Sequence, residues 1–432
     1  MRDILLLLII GGLLVCTLKK PQCGVLTWIW ISVMNPHREA FGWIQSFPIL
    51  DIVAGITIVS ALIHSKDIKK AAWQPVLTWL LIFYLWCSIT SIFSVLDTYE
   101  PWLKFTKSLL PCVFILLFMN KRHWMIASIL VFVVSIAAFG IKGGLFTVFT
   151  GGGSRVYGPP NSSWGDNNGV SIAMLMVVPL LFAIRHSLQT YLSRNSMMVS
   201  AILCFVALLG TQSRGGLVGL VGQALFAVYR SNRKMISTLA MLFVLSIGFV
   251  FMPANWTERM FTISTDESKL DQSASNRIIQ WYYAIDIANV RPLFASGFNS
   301  FYYKPYYYKF VAHLDENRAV HSNYFQVLGE QGYIGLLLYL AMWITFLVTS
   351  QRHAKIALKH DELIWAGNLL KALQYAFVGY AFNGLTVNMA YLDLPYFLMA
   401  FSVLLITHVR QESQIASPAP RSSYTSPSPN LK

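Results

Sequence analysis

The chain has 432 residues, of which 55% are hydrophobic and only 12% charged. A soluble domain carries roughly twice that charged fraction, and apolar runs of membrane-spanning length recur along the chain, so the composition excludes a soluble globular protein. No alternating ten-residue pattern of a transmembrane barrel is present. The formal net charge of +14 fits basic loops at a membrane surface rather than a nucleic-acid partner. The expected class is an all-α, polytopic integral membrane protein.

Apolar segments fall near 3–18, 22–36, 47–64, 72–95, 102–119, 124–141, 168–185, 195–210, 215–230, 235–252, 333–349, 366–386 and 391–409. The first two are short, which predicts about twelve transmembrane helices. The start lacks a small-residue cleavage site and reads as a retained membrane segment. Lys19 and Lys20 argue for a turn between the first two segments, so residues 1–36 cross once or twice. The connections around 65–70, 120–123, 185–194, 230–234 and 351–360 are basic and fall on one side, which the positive-inside rule makes cytoplasmic. The expected organisation is a transmembrane bundle over 1–252, a large periplasmic loop with short helices over 253–332, transmembrane helices over 333–409, and a disordered Ser/Pro-rich cytoplasmic tail over 410–432. The five cysteines are scattered and suggest neither a metal nor a disulfide framework.

The 253–332 loop is rich in aromatics, among them Trp256, Trp281, Tyr282, Tyr283 and the run "FYYKPYYYKF". These read either as an interfacial belt or as a platform for sugar rings. The stretch 275–288 has helical spacing with Ser275 as its N-cap.

Four residues on the outer side could do chemistry. Arg214, in "GTQSRGGLVG", interrupts an apolar stretch, where an arginine is costly unless it meets a cavity or a partner. Its two following glycines allow a close backbone approach, and a guanidinium is a bidentate partner for phosphate. Arg155 lies in the Gly-, Pro- and Asn-rich loop that ends at Asp166, Asn167 and Asn168. Arg155 reads equally as a solvated loop arginine, and Arg277, on the 275–288 helix, is a weak signal alone, since a surface helix often carries an arginine. His321 accepts protons near neutral pH. It precedes a short segment, 322–328, that can lie on the membrane before glycines turn the chain into the crossing at Tyr333. Glu330 reads as a group that orients His321 or binds a hydroxyl, or as a solvated carboxylate. There is no Asp-x-Asp, Walker or zinc signature, so the site is expected to need no metal and no cofactor.

Three stretches together, "SRGG" after a membrane helix, a large external loop and "HSNYFQVLGEQGYIGLLLYL", resemble the O-antigen ligase family (WaaL-like) and its Wzy polymerase and protein O-oligosaccharyltransferase relatives. The segments "KKPQCGVLTWIWISVMNPHREAFGW" and "VYGPPNSSWGDNNG" resemble the probable O-glycosylation ligases of exosortase systems. The resemblance implies a glycosyltransferase in the bacterial inner membrane with its active site facing the periplasm. Its donor would be an undecaprenyl-pyrophosphate-linked glycan and its acceptor lipid A–core or another periplasmic molecule. It implies that the essential arginines are Arg155, Arg214 and Arg277 and the essential histidine His321. Many members write His-Asn where this chain has "HSN", which leaves the role of Asn323 open. A polymerase or a protein O-oligosaccharyltransferase shares these features. A lipid-linked sugar transporter would instead carry polar groups at mid-membrane and a matched internal repeat.

Overall fold

The computed structural model describes residues 2–40, 42–68, 71–250, 272–311 and 318–416. Within them the chain forms fifteen α-helices and no strand. In chain order these are α1 (Arg2–Lys19), α2 (Pro21–Met34), α3 (Ile49–Ile63), α4 (Pro75–Ile92), α5 (Tyr99–Phe118), α6 (Arg122–Phe149), α7 (Asn167–Ile184), α8 (Tyr191–Gly210), α9 (Arg214–Arg230), α10 (Lys234–Val250), α11 (Gln272–Val290), α12 (Lys304–Phe310), α13 (Asn323–Ala357), α14 (Ile364–Asn383) and α15 (Asp393–Ala416). Every apolar run of the sequence becomes a helix, and the protein is an all-α polytopic membrane protein. Seven described helices are by themselves long and apolar enough to cross a membrane. Three shorter apolar helices accompany them.

Two findings shift the expected boundaries. Helix α11 starts at Gln272, so Ser275 lies in its first turn rather than at its cap. Helix α15 continues to Ala416, past the expected end at 409. Trp256, Lys69, Lys70 and the tail from 417 lie outside the described residues.

Helix starts follow side-chain chemistry. Asp166, Thr190, Ser213 and Ser322 cap α7, α8, α9 and α13, each accepting a backbone N–H from the first turn. Pro75 opens α4, where its missing N–H costs nothing. Helix α15 is the most buried span, whereas α4 and α5 are largely exposed on their outward faces, as lipid-facing helices are. Inside the bundle some polar groups pair across helices: Tyr339 and Tyr380 share a hydroxyl contact of 2.9 Å, and Ser350 and Ser402 one of 2.7 Å.

One end of the bundle gathers the connections that matter for the site. Val156 N–H donates to Gly210 O at 3.0 Å, Asn323 N–H to Gly384 O at 2.7 Å, and Ser94 Oγ to Ser296 O at 2.7 Å. The basic loops lie at the other end.

The largest break in regularity is in α13. Gly332 has φ +74° and interrupts the helix, separating a first arm of 323–331 from the long crossing. A Cβ at Gly332 would lie 2.3 Å from Leu293 O and 2.7 Å from Pro292 O, so both the backbone angle and the contact demand glycine. This is the turn before Tyr333 that the sequence predicts.

Candidate functional site

The site forms where the starts of α7, α9 and α13 meet α11. Asp166 caps α7, its Oδ1 accepting from Gly169 N–H at 2.8 Å. Ser213 caps α9, its Oγ accepting from Gly216 N–H at 3.1 Å, and the same hydroxyl donates to Asn168 Oδ1 at 2.8 Å. Asn167 Nδ2 donates to Thr211 O at 3.1 Å. The two helix starts are thereby laced side by side, the α7 start carrying the Asp166 carboxylate and the α9 start Arg214.

Arg214 is the first residue of α9 and is half-buried. The glycines after it have a concrete reason. A Cβ at Gly215 would come within 2.4 Å of Thr386 Oγ1 and 2.7 Å of Asn383 Oδ1, and one at Gly216 within 2.8 Å of Ser171 Cβ. Helix α9 therefore lies close against α14 and α7. Asn383 Nδ2 donates to Ser171 Oγ at 2.9 Å across the same junction.

His321 sits immediately before the α13 cap, with a left-handed φ of +49°. That angle turns the chain into the cap at Ser322. The first arm of α13 is held on three sides. Asn323 donates its N–H to Gly384 O and accepts from Met389 N–H at 2.6 Å through Oδ1. Gln326 Oε1 accepts from Ala390 N–H at 3.2 Å. Trp281 of α11 stacks on Phe325, 5.1 Å between centroids, and its Nε1 donates to Val320 O at 3.1 Å. Asn323 thus anchors the arm through its N–H and its Oδ1.

This docking brings Arg277, one turn before Trp281 on α11, into the field of His321. Burial holds the imidazole pKa below its ordinary value; Arg277 pushes it further down, Asp166 opposes, and Arg318 adds to the lowering. The imidazole is therefore neutral near pH 7 and able to take a proton.

The remaining candidates fare differently. Arg155 is exposed, and among the described residues no ion pair engages it. Its neighbours hold its loop beside the Arg214 turn: Val156 bonds Gly210, and Gln212 Nε2 donates to Gly152 O at 2.8 Å. Glu330 is neither solvated nor among the charged groups acting on His321. It is 1% exposed, and its Oε1 accepts from Asn299 N–H at 3.0 Å. Its place on the arm sets it in the interior against Gln326 and Tyr391. Sequence reasoning missed Arg318; only its place three residues before His321 hinted at it.

The aromatics divide in a way neither expectation covers. Tyr283, Phe301 and Tyr307 are buried in a small core with edge-to-face contacts, Tyr283–Tyr307 at 5.1 Å. Tyr282, Tyr302 and Tyr303 remain exposed.

Residues 199–340 match the family model described as O-Antigen ligase (Wzy_C), and residues 1–189 match a family of unknown function, DUF5935. A comparison with curated proteins finds no match. The matched ligase region contains α9, α11, the first arm of α13 and the start of its crossing, and with them Arg214, Arg277, Arg318, His321 and Glu330. Arg155, Asp166 and Asn168 belong to the other matched region. The ligase family performs glycan transfer of ligase or polymerase type, on a lipid-linked glycan and an acceptor, in a membrane setting. Through residues 199–340, the part that carries Arg214, Arg277, Arg318 and His321, this multi-pass membrane protein is similar to the O-antigen ligase family.

Proposed function

We propose that the protein transfers a glycan from undecaprenyl pyrophosphate to a periplasmic acceptor, lipid A–core, without a metal ion. The observation that supports the reading is that Arg277 and Arg318 act on His321 together with Asp166, the cap of α7, whose start is laced to that of α9, which Arg214 opens. In this mechanism the acceptor hydroxyl oxygen attacks the anomeric carbon, and the bond from that carbon to the pyrophosphate oxygen breaks with inversion. The hydroxyl proton passes to the neutral imidazole of His321. The negative charge growing on the departing pyrophosphate meets Arg214 and Arg277, with Arg155 reaching over from its loop. Undecaprenyl pyrophosphate leaves, and His321 returns its proton to solvent. Asn168 supports the site by holding the α9 cap, and Glu330 by fixing the backbone at Asn299. The site end of the bundle faces the periplasm of an inner membrane, because the basic connections lie at the opposite end.

The test is incubation of purified full-length protein with an undecaprenyl-pyrophosphate-linked glycan and lipid A–core in the presence of EDTA, followed by mass spectrometry. The expected result is a gain of the glycan mass on lipid A–core. Gain only on a second lipid-linked glycan would replace the ligase with a polymerase. Loss of transfer in EDTA, restored by magnesium, would remove the arginine-only account of the leaving group.

A further inference from the structure

A second concavity lies at the same end of the bundle, and neither His321 nor the arginines line it. It measures about 730 Å³ and is framed by the end of α2, the first half of α5, the 161–163 turn and the segment leading into α15. Lys104 and Lys107 line it from one face of α5 and are exposed, and the carboxylates of Glu100 and Asp393 line it as well. Their height is marked by helix starts. Lys107 Nζ lies 3.0 Å from Asp51 in the first turn of α3, and Asp393, which opens α15, accepts from Ser163 Oγ at 3.3 Å. Charged groups at helix starts mark the membrane interface, so the lysines stand at headgroup level. From Lys104 to Pro111 the α5 wall descends about 10 Å. There Trp28 and Pro111 make the lining apolar.

The opposite wall is polar. Asn299, Gln326 and Asn388 present amides, and Asn388 also donates to Tyr302 OH at 3.1 Å. Behind this wall sits Glu330, against Gln326 and Tyr391. Amides above an apolar descent, with two ammonium groups at the mouth, match a glycolipid: hydroxyls for the amides, an anionic substituent for the lysines, chains for the apolar wall. Gln326 also links this cavity to the reaction. It lies on the same rigid arm of α13 that His321 precedes, so one helix presents a histidine on one side and a cavity wall on the other.

We infer that this cavity seats the acceptor, as the hydroxyl-rich, anion-bearing sugar head of a membrane amphiphile. The inference rests on the ligase reading above and adds the second substrate's site to it. The donor is the weaker occupant, because its pyrophosphate partners lie elsewhere.

The test uses the full chain in nanodiscs, wild type and the Lys104→Gln/Lys107→Gln double variant. Two probes are offered: phosphorylated lipid A–core, and the same glycolipid after removal of its phosphates. Binding and transfer are measured separately. The expected result is a roughly tenfold or greater loss of affinity and rise in acceptor KM for the phosphorylated probe in the double variant. Donor KM should stay unchanged, and the wild-type preference for the phosphorylated probe should vanish. Unchanged acceptor affinity, an equal loss for both probes, a raised donor KM, or full competition by phosphatidylglycerol would each overturn the inference. Lysine-dependent binding without any transfer would keep the cavity assignment and remove the ligase reading. Transfer that ignores the lysines would do the reverse.

Discussion

Arg277 on α11 acts electrostatically on His321, just before α13, and the two helices are joined by the stacking of Trp281 on Phe325. The stacked pair sets the spacing of two groups that are far apart in the chain, and it gives the histidine a cationic neighbour that disfavours its protonation.

The pH dependence of transfer follows from this neighbour. A general base works in its neutral form, so a lowered pKa keeps it active further into acid. The acid limb of kcat/KM should lie below the ordinary histidine value of about 6.5. Arg277→Gln removes one cause of the lowering, so the limb should move up in pH while the maximal rate falls through loss of a pyrophosphate partner. A limb that stays in place in the variant would mean that Arg277 does not govern the titrating group.

Arg214 should tolerate no other cation. Arg214→Ala should weaken donor binding and turnover, and Arg214→Lys should restore only part of either, because an ammonium lacks the planar fork that grips two phosphate oxygens. Full rescue by lysine, measured as donor KM and kcat, would reduce the guanidinium to a point charge.

Gly332→Ala tests the break in α13. The substitution forces a Cβ into a left-handed backbone and against the Leu293 and Pro292 carbonyls. It should cost more than about 1 kcal/mol of stability and disturb the arm that carries His321. A thermal unfolding midpoint and a kcat equal to wild type would show that the arm is placed without the glycine turn.

Orientation can be read by thiol labelling in a background with Cys16 and Cys23 changed to Ser. Tyr282→Cys, on the exposed side of α11, should react with a membrane-impermeant reagent in cells with a permeabilised outer membrane. Lys359→Cys, in a basic connection, should not. The reverse pattern would place the histidine on the wrong side for a periplasmic acceptor.

The helices were legible in the sequence because membrane-length apolar runs report burial in lipid directly, and the turn at Gly332 because glycines punctuate a helical pattern just before a crossing. The partnership of Arg277 with His321 was not, since a helical arginine says nothing about which distant loop its helix docks beside. Glu330 was misjudged for a related reason: its environment is set by Asn299 and Tyr391, which come from other parts of the chain. Asn323 was ambiguous until Gly384 and Met389 were seen to claim its groups. The lysine-lined cavity was invisible for the same cause, because Lys104 and Lys107 read as interfacial charges until α2, α5 and the start of α15 are assembled around them.

The most direct measurement is single-turnover transfer from the lipid-linked donor by wild type, His321→Ala and His321→Asn, with donor binding measured on the same preparations. Asparagine is included because it accepts the left-handed backbone at this position. Both variants should bind donor nearly as wild type does and transfer it on the order of a hundredfold or more slowly. A correctly folded His321→Asn protein that transfers at the wild-type rate would contradict the account, and the proton would have to be taken elsewhere.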